Sequence, residues 1–329
     1  MWDFEIGRAF ALLARTAPFL ALRLVVYVGI AALCVVAAGI GAGLGLGFGA
    51  LGGAGGSAGG AAIGALLGIG LTAGVVRFFR NYLLYLVKAG HIAVLVELVD
   101  GGSVPGGRSQ IDHAHAAVKA RFVETSVLFG IDRIVKAVVR LLVGLIRGVT
   151  SWLPVPGIDT AMGFARGVLR VAVGLVDEVI LAYAFRTRST NPWASARTAL
   201  ILYAQSSAVM LKNAVWLAVM SWGLSLVVFL AARTPAAALA YAMPGGVAFI
   251  GVIVALVLAW AVRAALIEPF VLTCLIEVYF RAIEGQTPDA AWEARLEDAS
   301  GRFRDLGRQA SQWAAGPPAT AATSAPGVT

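Results

Sequence analysis

The sequence predicts an all-α, polytopic helical membrane protein, and three observations carry that prediction. Hydrophobic residues make up 59% of the 329 positions and charged residues 13%, where a soluble domain is about 25% charged. The apolar residues gather into runs of about 20, the length that crosses the ~30 Å hydrocarbon core. Glycine then recurs every fourth residue, at Gly52, Gly56, Gly60, Gly64 and Gly68, beside a second ladder at Gly41, Gly45, Gly49 and Gly53. Spaced this way inside apolar segments, glycines give a helix face that another membrane helix can approach closely.

The N-terminal residues 1–17 read as an interfacial helix ending before Pro18, with Trp2, Ile6 and Phe10 on one face. Asp3, Glu5 and the lack of a small-residue cleavage site speak against a signal peptide. Residues 18–100 form a glycine-rich transmembrane hairpin, with spans near 19–41 and 57–77 and a turn over 42–56. The second helix of this hairpin continues without proline to Val99, a length of ~60 Å from Ala61, and the pattern from Trp193 to Ala231 is similar; each extends beyond the bilayer or bends where Lys88-Ala-Gly90-His91 or Gln205-Ser206-Ser207 interrupts it.

Residues 101–192 are amphipathic. Ile131, Ile134, Val135, Val138 and Leu142 make an apolar stripe opposite Arg133, Lys136 and Arg140, and a second helix follows from about 159. Trp152-Leu-Pro154-Val-Pro156-Gly157 separates the two. Charges on lipid-facing spans are costly, so partial insertion is the favoured reading of the 122–186 hairpin. Four clear spans result, or six if that hairpin inserts fully.

Residues 193–284 form a second transmembrane hairpin, with spans near 212–231 and 246–267. Between them, Arg233-Thr-Pro235 and Met243-Pro244-Gly245-Gly246 bracket a loop. Residues 285–313 carry Trp292, Leu296, Ala299, Phe303, Leu306, Ala310 and Trp313 in steps of four and three, a heptad seam. With a nearly neutral opposite face, Trp292, Leu296, Phe303, Leu306 and Trp313 suit a protein surface: this chain's own, a second copy, or a cytoplasmic partner contacting 289–313. The Pro/Ala/Thr/Ser tail, 314–329, has a disordered composition.

Charge sets the orientation. Arg8, Arg15, Arg77, Arg80, Lys88, most basic residues of 108–212, Arg281 and the later arginines fall on one side of the spans, and Arg233 on the other. The positive-inside rule places both termini in the cytoplasm of a multi-pass inner-membrane protein. The net charge of +8 is spread over span ends rather than gathered into a block, so no nucleic-acid partner is expected. Cys34 and Cys274 lie in apolar runs and read as small fillers.

No motif supports catalysis. Gly55-Gly56-Ser57-Ala58-Gly59 fits a nucleophile elbow and Gly47, Gly49 and Gly52 fit a dinucleotide fingerprint. Both need a preceding strand that this region does not provide. Asp112-His113-Ala114-His115 puts its two rings far apart around a helix, so neither a metal nor any other cofactor is expected. The functional lead lies in polar residues near the apolar spans: Arg263, Glu268 before Pro269, Glu277, and Lys212-Asn213 at the start of the third span. Ionisable groups at membrane depth point to a functional site, here a transport path, and a proline break there would free backbone groups for a solute; the alternative is that these side chains lie at the cytoplasmic interface and snorkel.

Ser195-Ala196-Arg197-Thr198-Ala199-Leu200, leading through Lys212-Asn213 to Leu230, and the helix Trp260–Glu284 resemble the C-terminal part of choline transporter-like membrane proteins. The likeness covers about 193–284 and implies movement of an amine or lipid-related solute. The expected function is thus solute transport or permeation. The alternative is a non-catalytic membrane scaffold or assembly factor that oligomerises through its glycine ladders and recruits a cytoplasmic protein. No enzyme activity is expected under either.

Overall fold

The structure is a computed structural model, and it describes residues 2–50, 56–121, 174–242 and 248–314. Gly52, Gly53, most of the 122–186 hairpin and the 314–329 tail apart from Ala314 lie outside the described residues, as does the loop 243–247. All regular elements among the described residues are helical. The chain divides into two compact units: Met1–Val118 with Lys212–Val278, and Lys119–Leu211 with Tyr279–Thr329.

Among the described residues three helices are long and apolar enough to cross a membrane: Ala17–Ala50, Ser207–Ala238 and Val252–Ala282. Only 28%, 22% and 39% of their most apolar stretches are buried within the protein, so most of these side chains need another apolar medium. The second span expected from the sequence falls in a longer helix whose described apolar stretch is Gly59–Thr72.

In the first unit, α1 (Ile6–Arg15) ends at Thr16, and α2 (Ala17–Ala50) begins at once with Pro18 in its first turn, where a missing N–H costs nothing. Within the protein α1 buries Ala9, Leu12 and Leu13, and Phe10 on another face is exposed. Trp2 precedes the helix and stacks on Phe4, while Phe10 meets Phe270 at 4.8 Å between ring centres.

The glycine ladders meet in α2 and α3 (Gly56–Val99), which run antiparallel. A Cβ on Gly41 would fall 2.1 Å from the Gly64 carbonyl oxygen, one on Gly45 1.9 Å from that of Gly60, and one on Gly68 2.1 Å from that of Ala37. No side chain fits at these distances, so glycine is what lets the backbones touch. Ala38, Ala42, Ala61 and Ala65 complete the seam. Gly39, Gly43 and Gly47, on another face of α2, would meet nothing within 4 Å.

α4 (Arg108–Arg121) follows a loop held by Gly101 and Gly107 at positive φ. α7 (Ser207–Ala242) runs through Pro235, where the sequence suggested a loop, because one absent N–H removes one backbone bond without ending the helix. α8 (Ala248–Val262) leads into a π-helical turn, Arg263–Ile267, and α9 (Glu268–Ala282). Pro269 has no N–H to offer the preceding turn, which widens until the Glu268 N–H reaches the Arg263 carbonyl. The expected break at Glu268-Pro269 is therefore a bulge in a continuous helix. Ala261, Ala264 and Ala265 of this stretch pack on Tyr27 and Ala31 of α2.

In the second unit, α5 (Val176–Arg186) packs against α6 (Pro192–Gln205). Asn191 caps α6 by accepting from the Ala194 N–H, with Pro192 at its first position. The Tyr279 hydroxyl donates to the Ala199 carbonyl at 3.0 Å. The expected heptad helix is two helices, α10 (Ala290–Ala299) and α11 (Gly301–Ala314), split at extended Ser300. Leu296, Phe303 and Leu306 are buried, and both helices pack on α6. Ala299 is exposed because the bend at Ser300 takes it out of the seam. Trp292 is half-buried, and Trp313 donates from its indole to the Thr190 carbonyl.

Candidate functional site

Four of the five polar residues singled out by sequence are held by three partners within the first unit. Glu277, on α9, has a side chain only 2% exposed and lies 3.4 Å from the Arg8 guanidinium on α1. Arg8 also donates to the Val99 carbonyl at the end of α3, at 2.9 Å. Glu268 opens α9 and pairs at 3.9 Å with Lys88 of α3. Lys212 lies 2.6 Å from the Asp3 carboxylate. Asn213, fully buried on α7, accepts from the Asp3 N–H and donates to its carboxylate, both at 2.7 Å. Lys212 and then Asn213 hold the Asp3 carboxyl below its ordinary range through these bonds.

Arg263 starts the π turn, and its Nε is buried with no hydrogen-bond partner. The widened turn adds a residue to that helix, so the fourteen-residue count that would align Arg263 with Glu277 no longer holds. Glu277, Glu268, Lys212 and Asn213 thus tie helices or the N-terminal segment together in separate pairings, and Arg263 joins none of them. The partners Asp3, Arg8 and Lys88 were invisible in the sequence as partners, since each reads locally as an exposed charge at a span end.

His91, which is not among the candidates named from the sequence, is fully buried on α3. Its ring stacks on Phe19 at 5.3 Å, and its Nε2 lies 3.0 Å from the Thr16 hydroxyl. That hydroxyl is also within 3.2 Å of the Leu12 carbonyl and 3.1 Å of the Leu13 carbonyl. With the Thr16 hydrogen spent there, the Thr16 oxygen accepts from Nε2–H and the Nδ1 lone pair faces inward. Burial first, and the Arg23 charge second, hold His91 neutral well below its ordinary value of 6.5. The unfolded chain takes up a proton near 6.5 that the folded one refuses. Stability is therefore full above that pH and falls as pH drops below it. Melting curves between about pH 8 and pH 5 should show this loss, and His91→Gln should flatten it.

His113 pairs with Glu97 at 2.8 Å, while Asp112 and His115 are exposed. Among the described residues no group of three His, Cys, Asp or Glu side chains could hold a metal ion.

Two large concave surfaces lie among the described residues. A groove of about 910 Å³ runs along the α2–α3 pair, floored by Gly41, Gly45, Gly60 and Gly64 and rimmed by Ile40, Leu44, Phe48, Ile63, Leu67 and Leu71. In the second unit a cleft of about 1000 Å³ is lined by Arg197, Arg302, Arg304, Arg308, Glu297 and Asp305. Arg197 reaches Glu293 at 2.8 Å and also pairs with Glu297. Gly307 leaves room for it, since a Cβ there would lie 2.8 Å from Arg197 Nη1.

The comparisons with known proteins add no relative: no family model matches the chain, and neither does any curated protein or solved structure.

Proposed function

We propose that this protein is a non-catalytic membrane scaffold: a packed helical anchor in the inner membrane joined to a second helical unit that engages a protein partner. The observation that supports this over transport is the pairing of Glu277 with Arg8, Glu268 with Lys88, and Lys212 and Asn213 with Asp3. Each pair ties the N-terminal segment or α3 to a later helix, which is how a fixed assembly uses its charges. A path for a solute needs such groups to converge on it.

The antiparallel contact of Gly41 with Gly64 and of Gly45 with Gly60 brings α3 back along α2, supporting four crossings with both termini in the cytoplasm. The inward use of these glycines moves the oligomer role away from this ladder. The cleft of Arg197, Arg302, Arg304 and Arg308 is the surface that suits an acidic protein segment.

Transport remains testable through the resemblance of 193–284 to choline transporter-like proteins. Proteoliposomes carrying the protein should pass choline and related amines no faster than empty vesicles. Saturable amine flux that Glu268→Gln abolishes would establish the transport reading instead.

A further inference from the structure

Three helices build the cleft of the second unit: α6 supplies Arg197, α10 supplies Glu297, and α11 supplies the other described lining residues. Leu296, Phe303 and Leu306 bury the apolar faces of α10 and α11, which turns Arg304 and Arg308 outward. These two stand one helical turn apart on the same side, and both are exposed. The lining runs along α11 from Gly301 to Gln312, about 16 Å. That is the span of about five residues of extended chain.

The charges in the cleft do not balance. Arg197, Arg302, Arg304 and Arg308 face two lining carboxylates, Glu297 and Asp305. Glu297 pairs with Arg197, which Glu293 also holds at 2.8 Å. Asp305 serves two cations at once, Arg308 and, at 3.9 Å, Arg302. Arg304 donates to the Glu297 carbonyl, a neutral acceptor, so it has no carboxylate of its own among the described residues. Ion pairs as exposed as these are worth little, because water competes for both charges. A carboxylate offered from outside therefore exchanges with Glu297 or Asp305 at small cost, and the guanidinium fork suits its two oxygens. A single-stranded nucleic acid fits less well, since the described lining offers no aromatic face on which a base could stack.

We propose that this cleft docks an acidic peptide segment of a partner protein, and that Glu297 and Asp305 are built-in competitors standing where two of its carboxylates bind. The site presupposes the scaffold function and adds to it the chemistry of the partner and an internal brake on its binding.

The full-length protein in maltoside detergent is titrated into fluorescein-labelled hexaglutamate at low salt, with fluorescence anisotropy as the readout. Arg304→Gln and Arg308→Gln should each weaken binding about threefold, and the double variant about tenfold. Glu297→Gln and Asp305→Asn should each tighten it about threefold, because each frees an arginine from an internal partner. A merely structural role for these carboxylates would give the opposite sign. In Glu297→Gln, Arg197 keeps Glu293 and its place over the Phe303 ring, 5.3 Å from the centre, so its melting midpoint should stay within about 2 °C of the parent. The proposal is overturned if hexaglutamate does not bind, if the arginine variants bind it as the parent does, or if either carboxylate variant fails to tighten it. It is also overturned if a labelled oligothymidine of equal charge binds as tightly. Absent peptide binding without amine flux through proteoliposomes overturns this site alone and leaves the scaffold function standing, whereas saturable amine flux overturns both.

Discussion

Gly45→Ala and Gly64→Ala are each expected to destabilise the protein by about 3 kcal/mol, at the upper end for a methyl forced into a packed seam. The added Cβ would sit 1.9 Å from the Gly60 carbonyl oxygen in the first case and 2.0 Å from that of Gly41 in the second. In both the obstacle is backbone, which cannot turn aside as a side chain would, so α2 and α3 must separate along their length. The neighbouring register gives the control. At Gly39, Gly43 and Gly47 a Cβ meets nothing within 4 Å, and alanine there is neutral or stabilising by up to about 1 kcal/mol through helix propensity. Unfolding by dodecyl sulfate titration from a mild detergent reads both sets. Equal losses in the two registers would mean that the contact between the helices does not depend on glycine.

The second large effect falls on the pair that joins α1 to α9. Arg8→Ala leaves the Glu277 carboxylate, 2% exposed, without its guanidinium and should cost about 3 kcal/mol. It also removes the bond to the Val99 carbonyl. Glu277→Gln should cost less, because the charge it leaves behind belongs to a half-exposed side chain that water can solvate. That ordering, with the exposed partner the more damaging one to remove, is a direct reading of where the two charges sit. Thermal melts of both variants at neutral pH measure it.

How far this was legible in the sequence differs by element. The helical class and the apolar runs follow from composition and length, because a bilayer demands both. The bend at Ser206 between α6 and α7 was likewise readable, from the polar Gln205-Ser206-Ser207 interruption. Spacing gave the glycines a packing role, but it could not say whether they face another chain or the returning helix of the same one. Only the antiparallel register, Gly41 on Gly64 and Gly45 on Gly60, decides that. The π turn escaped because proline in a helix reads as a break, and the cost of one missing N–H is met here by widening a single turn. The heptad seam was legible as apolar spacing, while its interruption rests on the extended backbone of Ser300. The ion pairs were the least visible. Arg8 and Glu277, 269 positions apart, become neighbours through tertiary packing alone.

The central claim is that the charged residues near the membrane spans hold helices together instead of lining a path. A double-mutant cycle on Arg8 and Glu277 tests it most directly, comparing Arg8→Ala, Glu277→Gln and the double variant by equilibrium unfolding. A coupling of about 2 kcal/mol, with the double variant losing little more than Arg8→Ala alone, is the result this account predicts. Losses that add to within about 0.5 kcal/mol would show the two residues to be independent and contradict it.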